Sequence, residues 1–557
     1  MRFPVPTCRA LGLAAITAIL AACSGAGTSL APSAGSTQMQ DLGRATNATQ
    51  VNLAVVLNYH NEAKLDQLIE AQGTPGSGSF HQFLKPQQFA RQFGPTQADY
   101  DATIGQLRDA GFTITHTFSN RTTIDASAPA PAAERLFSTE IHVVRRPDGQ
   151  TRYINVTPET IPAQLARTVY AVVGLDSAHT LRPQYEFKPG HHIVPATKVR
   201  HTSKPPLFGP DSGYGPGVYR ASYSFPKKMT GTGRATAFVG DADFLDSDVD
   251  GYLSYFQVKR TGPATTRVLV DGGPPSGISQ DSVEATLDVE TLVSIDPGTA
   301  IYAYEAPTAP DLRYFIDMYT QIVQDNFADT VNTSYSECET AFIPSFPKAA
   351  DKIFKQGAAL GITFHASTGD NGTSTYGCYT SQPTVGTPAD DPHQVAIGGT
   401  LLGVDRTSGK ETSEVGWNGT GGGFSSVMKL PKYQKGVPNI IKTGRNLPDV
   451  SFDASPESGE SFYFEGAFQG PIGGTSLASP IFGAGLTIVD QMMKSRAGYF
   501  GPTLYATWTK NGYGAGKKLY LRDITVGSIG AYSAGPGYDQ MTGIGAIIFG
   551  NFGKLLK

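Results

Sequence analysis

The chain has 557 residues, of which 39% are hydrophobic and 17% charged, and its formal net charge is −4. That length exceeds what one ordinary core takes up, so two folded domains behind a leader are expected. The small negative charge excludes a broad electrostatic attraction for nucleic acid, and 64 Gly with 38 Pro suit a loop-rich extracellular hydrolase better than a helical bundle.

The N-terminus reads as an export signal over residues 1–23. Arg2 and Arg9 supply positive charge, and Leu11 to Ala22 is apolar but too short to cross a membrane. Leu20-Ala21-Ala22-Cys23 resembles a bacterial lipobox, so lipid on Cys23 would leave a secreted protein anchored to a membrane. The alternative is cleavage with no lipid. Residues 24–48 are rich in Ser, Ala, Gly and Thr and read as a flexible tether. Of four cysteines, Cys8 leaves with the leader and Cys23 is the lipid candidate. Cys338 and Cys378 remain in an oxidising compartment, where a disulfide between them is expected over two free thiols. No CxxC spacing supports a zinc cluster.

From 49 to 178 short strands and helices mix. Val51 to Leu57 reads as a strand, Thr96 to Gly111 carries apolar residues at helical spacing, and Phe112 to Phe118 alternates as a strand does. Ile141 to Val144 is a short β-prone run. A small α+β domain of antiparallel strands with helices on one face is expected. Residues 179–208 hold His191, His192, His201 and several Pro with little apolar periodicity, and read as an exposed, cleavable linker.

From 209 to 557 the pattern becomes α/β. β-prone runs at Ala235 to Val239, Ala300 to Tyr304, Thr330 to Thr333, Gly361 to Ala366 and Gln394 to Ile397 alternate with helical stretches such as Asp311 to Asp325 and Phe346 to Gly357. This predicts a mostly parallel sheet with helices on both faces, with its active site at the carboxyl ends of the strands.

Gly474-Thr475-Ser476 opens an apolar helical stretch, Leu477 to Met493. A serine there meets backbone N–H groups and a dipole that favour negative charge, which suits an oxyanion in acyl transfer. Pro480 is expected in the first turn, where its missing N–H is tolerated. Taken alone, such a serine reads equally as a helix cap. Gly474-Thr475-Ser476-Leu477-Ala478-Ser479-Pro480 resembles the serine motif of the subtilisin-like clan and of its acid-active branch, the sedolisins or serine-carboxyl peptidases. A Ser-His-Asp and a Ser-Glu-Asp triad then compete. After the linker only His365 and His393 remain, one at a strand end and one in a loop, and neither opens a helix as His-Gly-Thr.

Ser282 to Ser294 has helical periodicity with Val283, Leu287 and Val293 as a buried face. Glu284 and Asp288, four apart, share a face; in a cleft such a pair can share a proton, so that one carboxylate deprotonates a serine in acid. Glu284-Ala285-Thr286-Leu287-Asp288-Val289-Glu290 resembles the sedolisin helix, which implies Glu284 as general base to Ser476 and Asp288 as its orienting partner. Ser367-Thr368-Gly369-Asp370-Asn371-Gly372 follows a β-prone run and reads by itself as a turn. The same resemblance implies that Asp370 lines the oxyanion hole, for which it must be protonated.

Near the C-terminus, Arg522-Asp523-Ile524-Thr525 and Ala534-Gly535-Pro536-Gly537-Tyr538-Asp539 offer hard oxygen ligands. The resemblance implies one structural Ca²⁺ held by Asp523, Ile524, Gly535, Gly537 and Asp539. Ser79-Phe80-His81-Gln82-Phe83-Leu84-Lys85-Pro86, Ile161-Pro162 and Val173-Gly174-Leu175 resemble the activation domain of pro-kumamolisin. They imply a ferredoxin-like prodomain that inhibits the cleft intramolecularly until the linker is cut in acid. The fold class expected is thus a subtilisin-like α/β domain behind an α+β prodomain. The implied protein is an acid-active serine peptidase acting on protein or peptide substrates, a monomer with no nucleic-acid partner. Two other functions compete: an inactive surface-binding member, against which the intact Glu284, Asp288, Asp370 and Ser476 argue, and an esterase built on Ala531-Tyr532-Ser533-Ala534-Gly535, which lacks a preceding strand.

Overall fold

The computed structural model describes residues 39–557, apart from 75, 200–201, 309–310, 342–344, 379 and 381. The expected leader, Cys23, the first part of the tether and His201 lie outside these residues. Among the described residues, no helix is long and apolar enough to cross a membrane.

The N-terminal part is built on an antiparallel sheet in the order Thr113–Thr117, Thr123–Pro129, Gln50–Leu57, Val169–Val173. Helices Gln97–Asp109 and Ala130–Phe137 complete the βαββαβ chain order of a ferredoxin-like fold. Thr96 caps the first of these helices, accepting from Asp99 N–H at 3.1 Å. A second sheet pairs Gln40–Arg44 with Ile141–Arg145, so folded chain begins within the stretch expected to be tether.

The strand Gln50–Leu57 divides its side chains between two cores. Val51, Leu53, Val55 and Leu57 enter the prodomain's own core with Tyr100, Leu107 and Phe137. Ala54 and Val56 enter a second core with Phe315, Tyr319, Phe354 and Phe364 of the larger domain. From Leu53 onward both faces are covered and the run is apolar, while Gln50 and Asn52 at its start remain exposed. Helices Leu312–Asp325 and Ser345–Leu360 therefore serve as floor for the prodomain. Polar contacts ring this seam: Tyr59 Oη donates to Gln356 Oε1 at 3.1 Å, Gln72 Nε2 to the Ala359 carbonyl at 3.1 Å, and Lys355 pairs with Asp66 at 2.5 Å.

The larger domain carries a sheet in the order Thr266–Leu269, Ala300–Glu305, Ala235–Gly240, Thr330–Thr333, Thr363–Ser367, Gln394–Val404, Glu411–Gly416. Val450–Asp453 also pairs with Gln394–Val404. Every pairing is parallel except Gln394–Val404 with Glu411–Gly416. Alternate residues face opposite cores: Phe238 joins helices Ser282–Ile295 and Thr475–Met493 on one side, while Ala237 and Val239 join the helices beneath the prodomain on the other. The architecture is the subtilisin-like α/β fold with helices on both faces.

Two expectations are corrected. Within residues 179–208, which are exposed over much of 189–205, three short stretches are tied down: Arg182–Pro183, Glu186–Phe187 and Val194–Pro195 pair with Tyr335–Cys338, Ile472–Gly473 and Ala467–Phe468. The donors and acceptors come from edges of the larger domain, which a linker's own composition does not reveal. Pro480 lies inside helix Thr475–Met493 and not in its first turn. Its missing N–H frees the Ser476 carbonyl, and the Ser334 hydroxyl lies 3.4 Å from that oxygen.

Candidate active site

Gly474 holds φ at 103°, a conformation open to glycine, and acts as the N-cap of the helix that begins at Thr475. Ser476 is therefore inside the first turn and its hydroxyl caps nothing. Instead Ser476 Oγ lies 2.8 Å from Glu284 Oε2 and 3.0 Å from the Ser334 carbonyl. Thr330–Thr333 delivers Ser334 at its carboxyl end, where a parallel sheet opens its cleft.

Helix Ser282–Ile295 is buried on every side, not along one face. Its polar residues find partners for part of their hydrogen-bonding capacity: Thr286 donates to the Ser282 carbonyl at 2.7 Å, and Glu290 accepts from Tyr463 N–H at 3.1 Å through one oxygen while Oε1 has no partner among the described groups. Glu284 and Asp288 are both 0% exposed. Asp288 Oδ1 accepts from Asn332 Nδ2 at 2.9 Å and Ser334 Oγ at 2.7 Å. One oxygen on each acid, Glu284 Oε1 and Asp288 Oδ2, is buried without a hydrogen-bond partner among the described groups. Burial, then the nearby Asp288, raise the Glu284 pKa well above the ordinary value; burial does the same for Asp288 against its two donors.

Asp370 reaches the first residue of helix Thr475–Met493 from the turn after Thr363–Ser367. Its Oδ1 accepts from Thr475 N–H and from Thr475 Oγ1, both at 2.7 Å, while Oδ2 is buried and unpartnered. Burial pushes its pKa up to about 7 despite those bonds. Gly421 N–H holds the Gly369 carbonyl at 2.7 Å and so braces the turn.

The histidines stand apart. His365 is wholly buried, bonds Ser479 Oγ at 2.9 Å, and has its pKa lowered to about 3 by burial. His393 pairs with Asp351 at 2.7 Å. Neither bonds Ser476 among the described contacts. Ser533 is exposed and lies 3.3 Å from Ser528 Oγ. Cys338 and Cys378 are joined in a disulfide.

Asn332, Ser334 and Gln184 are partners of the cluster that sequence reasoning missed. The polar Asn332-Thr333-Ser334 at the end of a β-prone run was a usable signal for the first two. Nothing in the composition around Gln184 marked it.

At the C-terminal loops, Gly537 N–H donates to Asp523 Oδ2 at 3.1 Å and Gly535 N–H to Asp539 Oδ2 at 3.0 Å. Both carboxylates therefore close on one turn. Asp523 Oδ1 is buried without a partner, and a Cβ on Gly535 or Gly537 would meet nothing within 4 Å. Two carboxylates, the Ile524 carbonyl and open glycine backbone are a donor set that fits a hard cation. Two other acidic groupings lie elsewhere, Asp351 with Asp391 and His393, and Asp125 with Asp271 and Asp317.

A parallel sheet with helices on both faces, a buried serine bonded to a carboxylate, and a folded domain ahead of it belong to the class of subtilisin-like serine peptidases made as precursors. Residues 37–178 match the family model described as the activation domain of pro-kumamolisin. The chain is 31% identical to sedolisin of Pseudomonas sp. (strain 101) over 521 residues, 89% of this chain and 85% of that protein. It is 29% identical to kumamolisin of Bacillus sp. (strain MN-32) over 539 residues, 92% of each. The solved structure of Pseudomonas sedolisin complexed with two molecules of pseudo-iodotyrostatin aligns with a TM-score of 0.55 at 26% identity, covering 62% of this chain and 98% of that one. The chain belongs to the sedolisin family: it is a serine-carboxyl peptidase made as a zymogen with its own activation domain.

Proposed function

We propose that this protein is a secreted, acid-active endopeptidase or tripeptidyl peptidase that hydrolyses peptide bonds through an acyl-enzyme on Ser476. The observation that carries the reading is the 2.8 Å bond from Ser476 Oγ to Glu284, in a site where neither candidate histidine bonds the serine. Glu284 takes the serine proton as Ser476 attacks the substrate carbonyl, then returns it to the leaving amine. Asp288, fixed by Asn332 and Ser334, orients Glu284, and the oxygen left over on each acid is available for a shared proton. The Ser476 N–H and a protonated Asp370 stabilise the oxyanion. Both roles require a site that holds protons, hence an acidic optimum. The prodomain, proposed over residues 49–178, covers the enzyme until the segment 179–208 is cut by the enzyme itself.

Asp523, Ile524, Gly535, Gly537 and Asp539 would hold one Ca²⁺, which would cross-brace the two loops without taking part in chemistry. Chelation should lower the melting temperature of wild type and leave an Asp523→Ala protein unaffected. An equal response in both would remove the site from this loop.

The function is tested with Ser476→Ala. The purified precursor should neither mature on acidification nor digest denatured protein. A variant that does both transfers the chemistry to another residue.

A further inference from the structure

Between residues 182 and 187 the chain crosses the site as a substrate strand does. Arg182–Pro183 pairs antiparallel with Tyr335–Cys338, and Glu186–Phe187 pairs antiparallel with Ile472–Gly473. Gln184 falls between these two ladders. Its N–H lies 3.1 Å from the Ser334 carbonyl and 3.0 Å from Ser476 Oγ. Its own carbonyl oxygen accepts from Ser476 N–H at 2.8 Å. That oxygen and Asp370 Oδ2 flank the same point: a Cβ on Gly474 would stand 2.2 Å from one and 2.5 Å from the other. The unpartnered Oδ2 and the Ser476 N–H thus border one peptide oxygen, beside a hydroxyl bonded to Glu284.

The side chain is held as specifically as the backbone. Gln184 is 6% exposed. Its Nε2 donates to the Ser336 carbonyl at 3.3 Å and to the Arg182 carbonyl at 2.7 Å, and its Oε1 accepts from Asp370 N–H at 3.2 Å. Gly369, Thr375 and Gly421 complete the recess, which has about 10 Å³ of space left, around the least that admits one water. A carboxamide satisfies a donor and an acceptor there. A leucine would strand both, and an aromatic ring has no volume to occupy.

We propose that Gln184–Tyr185 is the bond this protein cuts in itself, and that the recess around Gln184 selects a carboxamide on the acyl side of the bonds it cuts in others. The inference rests on Ser476 and Glu284 acting as argued above. Ser476 Oγ bonds to the Gln184 carbonyl carbon and its proton passes to Glu284. The carbon–nitrogen bond breaks, and that proton goes to the Tyr185 amine, which becomes the new N-terminus. Water then attacks the Gln184 ester, releasing a prodomain that ends in the Gln184 carboxylate and restoring the serine.

The test acidifies the full-length precursor from neutral pH to about pH 4 and identifies the first new N-terminus by mass spectrometry at early times. Matured enzyme is also given the peptide Arg-Pro-Gln-Tyr-Glu-Phe and its counterpart with Leu for Gln. Expected are an N-terminus at Tyr185, maturation of Gln184→Leu slowed about 10- to 100-fold, and the same preference between the peptides. The peptide pair decides the recess even where the Gln184→Leu precursor fails to fold. A first cut elsewhere by an active enzyme overturns the proposal and leaves the serine–carboxylate reading intact. Equal cleavage of both peptides overturns the carboxamide recess. No cleavage of any substrate overturns the serine–carboxylate reading and this inference with it.

Discussion

Two buried helices carry ionisable residues four apart, Glu284 and Asp288 on Ser282–Ile295, and Arg313 and Asp317 on Leu312–Asp325. Burial opposes charge in both. Around Arg313 a guanidinium answers it: Nη1 lies 2.5 Å from Asp317, 3.2 Å from Asp271 and 4.0 Å from Asp125, the last contributed by the prodomain. Burial pushes the Asp125 pKa up to about 7 while Arg313 pulls it down. At Glu284 and Asp288 no cation stands among the groups that act most strongly; only hydroxyl and amide donors oppose burial. The cluster with a cation fastens two domains together. The cluster without one is the pair proposed above to share a proton. The two clusters share a spacing and differ in counter-charge; Glu290 and Glu460 are buried without a cation too, so it is the bond to Ser476 that singles out Glu284.

That contrast can be broken from either side. Glu284→Gln should lower kcat/KM by about 10⁴-fold, the upper range for a general base. Its stability at pH 7 should hold or rise. The folded-state pKa of Glu284 is raised, so native protein keeps a proton that the unfolded chain releases above the ordinary glutamate value, and stability is lost as pH climbs from there. Glutamine removes that loss. Arg313→Met should do the reverse. It strands three carboxylates and should cost the precursor about 3 kcal/mol at pH 7, less in acid, where the acids take up protons. Turnover per folded, matured molecule should be unchanged. Denaturant unfolding and peptide kinetics on both variants decide the matter. If Glu284→Gln is the unstable one, or Arg313→Met the inactive one, the contrast is wrong.

Much of this was legible in the sequence where one chemistry controlled the pattern. Strand Thr330–Thr333 was found to the residue because both faces are buried and the run is short. Helix Ser282–Ile295 was assigned a single buried face because Glu284, Asp288 and Glu290 look solvated; in fact their partners come from Ser476, Asn332, Ser334 and Tyr463, distant in the chain. Only the resemblance of the whole segment to a known helix implied roles for Glu284 and Asp288. Segment 182–187 was opaque for a related reason. Proline and charge read as solvated linker, and the strands that pair with it lie some 150 and 290 residues away. Ladder partners supplied from elsewhere leave no mark on the segment that receives them.

The smallest expected effect concerns Asp370, which sits between the two cases. It has no cation, yet Thr475 donates to it twice, and burial still pushes its pKa up to about 7. Below that pH it carries a proton to donate; above it, an anion would face the oxygen on which negative charge develops. Glu284 runs the other way, since it must be ionised to accept the serine proton. The pair predicts a bell, with Glu284 and Asp288 on the acid limb and Asp370 on the alkaline limb. Asp370→Asn keeps a donor at every pH, with Oδ1 still able to accept from Thr475. At the optimum it should cost about 10-fold or less, against roughly 10²- to 10³-fold for Asp370→Ala. More tellingly, its alkaline limb should move upward from near 7, measured as kcat/KM over roughly pH 3 to 9. An unmoved limb would assign both halves of the bell to Glu284 and Asp288, and would make Asp370 a brace for Thr475 and not a proton donor.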